Sequence, residues 1–373
     1  MRRSVISLVT AVLVLGAALP TAAQDVTVIS QVNDDSITRA AFEARVRLVR
    51  WQYLNEIETL YEATGGNLQI TADYVRNHIA ALNDPVQLGD DVLHEMEEER
   101  LLWRKGQELN LTPSAEETKA QEDNFFSRWT NVPGDQLATS QEAQTFIANW
   151  YTSATSASGM TADDIQLLFE NEALRSKLYT YLAQSVPKEE MAVQTQHILC
   201  SFHPDNPADL APPTPEQRTA AESCIQAAQL RLASGEDFNV VAADLSADKA
   251  SAVQGGNVGW SLLSYLAKGY ADAARDAELN TVIGPIETEY GLHLIEVLDR
   301  KMQTLTDQQY QDAVDGYFRL WVQSLWDAAT VERSADWNTM VPADPAVNTL
   351  APSILAAIDK LGNEASPTPT TSP

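Results

Sequence analysis

Cysteine, histidine and positive charge are scarce in this sequence. Only Cys200 and Cys224 occur among 373 residues, and the five histidines are scattered. No zinc-type spacing can be drawn from them, so neither a metal site nor a cofactor is expected. Lys and Arg total 25 against 52 Asp and Glu, for a formal net charge of -27. A surface this acidic repels nucleic acid and anionic lipid. Beyond the N-terminal segment no apolar run is long enough to span a bilayer. Ser246 lacks the glycine-flanked elbow of a serine hydrolase. What is present is an ordinary globular composition, 44% hydrophobic and 21% charged. The length suits two or three domains of roughly 100–200 residues each.

Arg2 and Arg3 precede an apolar run from Val5 to Leu19, and Pro20, Thr21, Ala22 and Ala23 follow. Basic start, apolar middle and small-residue end describe a secretory signal peptide over 1–23, cut near Ala23. The run is shorter than the ~18–20 residues of a spanning helix, although retention as an anchor is the other reading. No cysteine follows it, which excludes a lipobox anchor. The expected location is therefore extracytoplasmic. An oxidising compartment permits a Cys200–Cys224 bridge but equally two buried thiols, since Cα atoms must approach within about 7 Å and spacing alone cannot show this.

Val26 to Val32 is β-branched and reads as a strand, with a turn at Asn33 to Ser36. Thr38 can cap a helix whose apolar face is Phe42, Val46, Val49 and Tyr53. A second helix is predicted from about Asp90 to Leu109, with Val92, Met96, Leu101 and Leu102 inward and Glu95 and Glu97 to Glu99 mostly outward. Ser114 and Glu117 form a capping box for a further helix. Residues 115–185 read as mostly helical, with a Ser/Thr/Gly break at 152–159. From Val193 the pattern becomes β-α-α-β-α-β-β, with Gly235 suited to a helix C-terminus, a turn at Gly255-Gly256-Asn257 and a last strand through Gly291 to Val297. After Arg300 a helix with Tyr310, Val314, Phe318, Trp321 and Val322 on one face needs a partner, expected to be the N-terminal helices. A short helix is readable at Leu350 to Leu361, and 346–373 is expected to be a flexible Pro/Thr/Ser-rich tail.

Five blocks in order, Gln196-His197-Ile198-Leu199, Gly235-Glu236-Asp237-Phe238, Leu245-Ser246-Ala247-Asp248, Gly255-Gly256-Asn257-Val258-Gly259-Trp260 and Gly291-Leu292-His293-Leu294-Ile295, resemble a parvulin-type peptidyl-prolyl isomerase domain. Val32 to Thr38 with Phe42, and Asp91 to Leu111, resemble the helical segments of SurA/PrsA-type extracytoplasmic foldases. The resemblance implies an α+β fold: a parvulin domain with a small four-stranded antiparallel sheet over 191–300, inserted in a mainly helical chaperone-like domain. The helical parts would be 24–190 and a C-terminal helix in 301–345.

The resemblance also implies the site. His197 and His293 correspond to paired histidines on adjacent central strands, bonded to each other. Asp248 falls where the family carries an acidic residue or cysteine near the substrate carbonyl. Val258, Leu266 and Tyr270 match proline-pocket positions, and Tyr290, expected among the substrate-binding residues, occupies a spot that is often Ser or a small residue and would narrow the site. Asn257 replaces the usual aspartate, and 261–269 lacks the usual Gly-Arg-Gly run. Ser201 to Pro215 contains no Lys or Arg but holds Asp205 and Asp209, which argues against phosphoserine-proline substrates. Expected partners are unfolded or nascent secreted chains with X-Pro bonds. The alternatives are an inactive parvulin acting as a holdase and a structural protein of the cell envelope.

Overall fold

The computed structural model describes residues 27–363. The expected signal segment, 1–23, and the end of the expected tail lie outside these residues. The chain divides into two compact units, one taking the sequence up to Thr180 and again from Leu320, the other Tyr181–Arg319.

In the first unit β1 (Val28–Val32) and β2 (Asp35–Thr38) form a hairpin, so the turn is tighter than the sequence suggests. Asn33 takes the positive φ this needs. Thr38 accepts from the Ala41 N–H at 3.2 Å and starts α1 (Arg39–Ala63). There follow α2 (Ala72–Asn83), α3 (Pro85–Leu109), α4 (Ala115–Thr130), α5 (Gln141–Ser158) and α6 (Ala162–Ala183). The Ser114–Glu117 capping box is formed at α4. The expected break at 152–159 shrinks to Gly159. Thr152, Thr155 and Ser158 donate their hydroxyls to carbonyls four residues back, so these side chains stay within α5.

The second unit holds β3 (Glu189–Ser201), α7 (Pro215–Ala233), α8 (Phe238–Leu245), α9 (Lys249–Ala252), β4 (Asn257–Leu262), α10 (Lys268–Asp276), β5 (Val282–Thr288) and β6 (Gly291–Thr304). The strands form one antiparallel sheet in the order β4-β3-β6-β5. α11 (Asp307–Ala328) begins here, and its Tyr310 hydroxyl donates to the Ala183 carbonyl at 2.6 Å. The chain returns to the first unit for β7 (Val331–Arg333), which pairs with β1, and α12 (Pro352–Asn363).

α1 runs through three buried clusters of the first unit. Phe42 and Val46 meet Ile29, Ile37 and Leu93; Leu48 meets Phe126 and Trp150; Leu54 and Ile57 meet Val75, Leu350 and Ile354. The last contact corrects the flexible tail: Leu350, Ile354 and Leu361 are buried, so the chain packs through α12. The proline- and threonine-rich composition belongs to residues after it. Glu97 is a second correction. Instead of facing out, it is fully buried, because the Ser30 hydroxyl (2.6 Å) and the Arg333 guanidinium (2.7 Å to each oxygen) satisfy it. Among the described residues no helix is long and apolar enough to cross a membrane.

Candidate active site of the sheet domain

Strand alternation gives the second unit's sheet two different faces. Ile198, Cys200, Leu292 and Leu294 point to one side and pack on α7 and α8. There Cys200 and Cys224 form a disulfide, with Cα atoms 5.8 Å apart, which joins α7 to β3. Val193, Ile295 and Val297 point to the other side and pack on α10. His197 and His293 share that second face, because Leu199 pairs with His293 and His197 with Ile295.

The imidazoles are held in a string of hydrogen bonds. His197 Nε2 lies 2.8 Å from Asp248 Oδ2, His197 Nδ1 3.4 Å from His293 Nδ1, and His293 Nε2 2.8 Å from Thr288 Oγ1. With Asp248 ionised, one assignment with a single proton per ring satisfies every contact. His197 donates from Nε2 to the carboxylate and accepts at Nδ1 from His293, whose Nε2 accepts from the Thr288 hydroxyl. The Tyr290 N–H donates to Thr288 Oγ1 at 3.2 Å and completes the string.

Electrostatics support this assignment. The hydrogen bond from His197, with the Ser251 hydroxyl 2.5 Å from Oδ2, holds the Asp248 carboxyl well below the usual carboxylate range. Asp248 also accepts at Oδ1 from the N–H groups of Ala250 and Ser251, and so caps α9. Burial, then the neighbouring His197, pushes His293 down to about 3, so it is neutral at physiological pH. Tyr270 packs edge-on against both imidazoles, with ring centroids 5.8 Å and 5.5 Å away, and donates to Thr195 Oγ1 at 2.9 Å.

The structure thus brings together His197, His293, Asp248 and Tyr270. Tyr270 is only 4% exposed and backs the histidines rather than standing open as a pocket wall. Leu266 is half-buried against the same apolar cluster. Val258 is exposed on β4, and Tyr290 enters the group through its backbone alone. Sequence reasoning missed Thr195, Ser251 and Thr288. Thr195 was discoverable, since it lies two residues before His197 on one strand and must share its face. Ser251 and Thr288 carry no comparable signal.

The string has a consequence for stability. Between pH 6.5 and about 3 the unfolded chain binds a proton at His293 that the folded chain refuses. Stability is therefore full above pH 6.5 and falls as pH falls through this window, by up to ~1.4 kcal/mol per pH unit. Asp248 acts in the same direction below its ordinary 3.8. Hydrogen-exchange protection of β3 and β6, corrected for intrinsic rates, is expected to drop from pH 7 to pH 4. The drop should be largely absent in His293→Gln; equal drops in both proteins would show that His293 is not its source.

Residues 197–299 match the rotamase family described as the PPIC-type PPIASE domain. A 135-residue stretch is 30% identical to Chaperone SurA of Methylococcus capsulatus, covering 34% of this chain and 30% of that one. A longer stretch of 246 residues is 25% identical to Foldase protein PrsA of Geobacillus kaustophilus, covering 65% of this chain and 72% of that one. The matched region is under a third of the length of the SurA chaperones. Among solved structures, PrsA of Bacillus cereus aligns over 75% of this chain and 91% of its own, with 16% identity and a TM-score of 0.39. Residues 197–299 are thus similar to the parvulin, or PPIC-type, rotamase domain, and the chain is similar to the SurA chaperones and PrsA foldases.

Proposed function

We propose that this chain is a peptidyl-prolyl cis–trans isomerase that assists the folding of unfolded proteins outside the cytoplasm. Rotation about an X-Pro bond faces a barrier of ~18–20 kcal/mol, because amide conjugation must be broken. No covalent intermediate is needed. A site accelerates the rotation by binding the twisted amide better than the planar one. The single observation that carries the reading is the Asp248–His197–His293–Thr288 string on one face of the sheet. Its inner members are buried and fixed, while the Asp248 side chain is 31% exposed and can meet a substrate. The fixed charge of Asp248 would favour the polarity of a twisted amide, and the buried imidazoles would hold that charge in place at no reorganisation cost. Leu266 and the apolar residues beside Tyr270 would receive the proline ring, with Val258 and Tyr290 at the margin.

The Cys200–Cys224 bridge supports an oxidising location. The N-terminal apolar segment supports export, with cleavage near Ala23 as the expected processing. Asp205 and Asp209 on the loop after β3 favour unmodified over phosphorylated substrates.

A protease-coupled assay on proline tetrapeptides tests the reading. The chain is expected to accelerate cis-to-trans conversion of Ala-Pro and Leu-Pro peptides, and to act less on a phosphoserine-proline peptide. Background rates on every peptide would overturn the isomerase reading and leave a client-holding role.

A further inference from the structure

We infer that the first unit carries a docking groove for extended segments of unfolded chain in which an apolar side chain adjoins Lys or Arg. The inference deepens the foldase reading and rests on it. A cavity of about 610 Å³ lies between α1, α3 and α6. Its size is within the ordinary range of ligand sites, about 300–1,000 Å³. Ala40, Ala41 and Ala44 form the α1 wall, and their short side chains leave the space open. Met160 and Leu167 supply apolar surface, with the buried Met96 behind them, and Leu167 is 52% exposed. A flexible methionine side chain such as Met160 adapts to varied apolar partners.

A second cavity, about 320 Å³, adjoins the first and shares Glu99, Trp103 and Asn171 with it. Its character is different. Asp91, Glu95, Glu98, Glu99 and Glu172 line it. Arg45 bonds Glu95 at 2.8 Å and Glu99 at 2.9 Å, and Arg175 is paired with Glu98. Asp91 and Glu172 are exposed and form no salt bridge among the described residues, so this end keeps excess negative charge. Arg100 and Asp164 also line the larger cavity and offset each other in sign. An apolar slot that opens into an acidic one fits a segment whose greasy side chain is followed by a cation. The net charge of -27 draws such segments in and discourages acidic ones.

The test uses the full chain and two labelled, proline-free peptides with the same Phe-Leu centre, one flanked by Lys and the other by Glu. Fluorescence anisotropy reads binding, light scattering reads mass, and a proline tetrapeptide assay on the same samples reads the sheet domain separately. The Lys-flanked peptide is expected to bind about tenfold more tightly than the Glu-flanked one at low salt. Asp91→Lys combined with Glu172→Lys should abolish that preference. Ala41→Trp, at an exposed position, should fill the slot and weaken both peptides. Neither variant should change the tetrapeptide rate. Equal binding of the two peptides to the unaltered chain would overturn the inference. So would unchanged peptide binding in Ala41→Trp, including the case where that variant instead splits a dimer.

Discussion

Asp248→Ala is expected to lower the isomerisation rate on a proline tetrapeptide about 100-fold, with little change in KM. The size follows from the loss of one fixed electrostatic group in a partly dehydrated site, which typically costs about 10²–10³ in rate. Two effects combine at this residue. In the proposed site its carboxylate would be the charge nearest an incoming carbonyl, and it accepts the hydrogen bond from His197 Nε2, so its removal also releases the imidazole string. Asp248→Asn separates them. The amide oxygen can still accept from His197 and Ser251 but carries no charge, while the NH2 group replaces the oxygen that caps α9, so a rate close to that of Asp248→Ala would mean that the bond to His197 alone does not suffice without the charge and the cap. A rate near that of the unaltered chain would mean the reverse. Ser251→Ala removes a hydroxyl 2.5 Å from Asp248 Oδ2 and is expected to cost less, about tenfold, because two backbone N–H groups and His197 still hold the carboxylate. An Asp248→Ala rate within twofold of the unaltered chain would remove Asp248 from the mechanism.

The sheet domain was legible because its five blocks combine local rules with a fixed order. His197 and His293 lie far apart in sequence, and only β3–β6 pairing joins them. Their motif register conveyed that pairing; periodicity alone would have given two unrelated strand histidines. Asp248 was readable as a site residue, but its engagement with His197 depends on the cap of α9, a helix too short to leave a hydrophobic pattern. Thr288 reaches His293 across the β5–β6 hairpin, and hairpin register is set by turn geometry that Glu289-Tyr290 does not announce. In the first unit one error concerns a polar residue and another the packing of α12. Glu97 sits in a run of glutamates that reads as a solvated face, and its burial depends on Arg333, brought beside it by the β7–β1 pairing. A short helix is readable at Leu350 to Leu361, yet the packing of α12 on α1 and α2 has no local signature.

Gly291→Ala is expected to destabilise the sheet domain by more than ~4 kcal/mol, against ~1 kcal/mol for Gly259→Ala. Both glycines have a positive φ, +147° and +77°, which a residue with a side chain adopts only under strain. They differ in what a new methyl group would meet. Nothing lies within 4 Å at Gly259, so only the backbone preference is lost. At Gly291 the added carbon would stand 2.3 Å from the Cys200 carbonyl oxygen and 2.8 Å from the Ser201 Cα, and both are backbone atoms of the paired strand. No side-chain rotation relieves that overlap, so β3 and β6 must part at this end. His293 is two residues along β6, and Cys200 is tied to α7 through Cys224, so the strain passes both to the imidazole string and to the helical face. Urea titrations followed by hydrogen exchange in β3 and β6 should therefore show a large midpoint loss for Gly291→Ala and a small one for Gly259→Ala. Equal losses would mean that the close approach of the two strands at Cys200 is not what requires a glycine at this position.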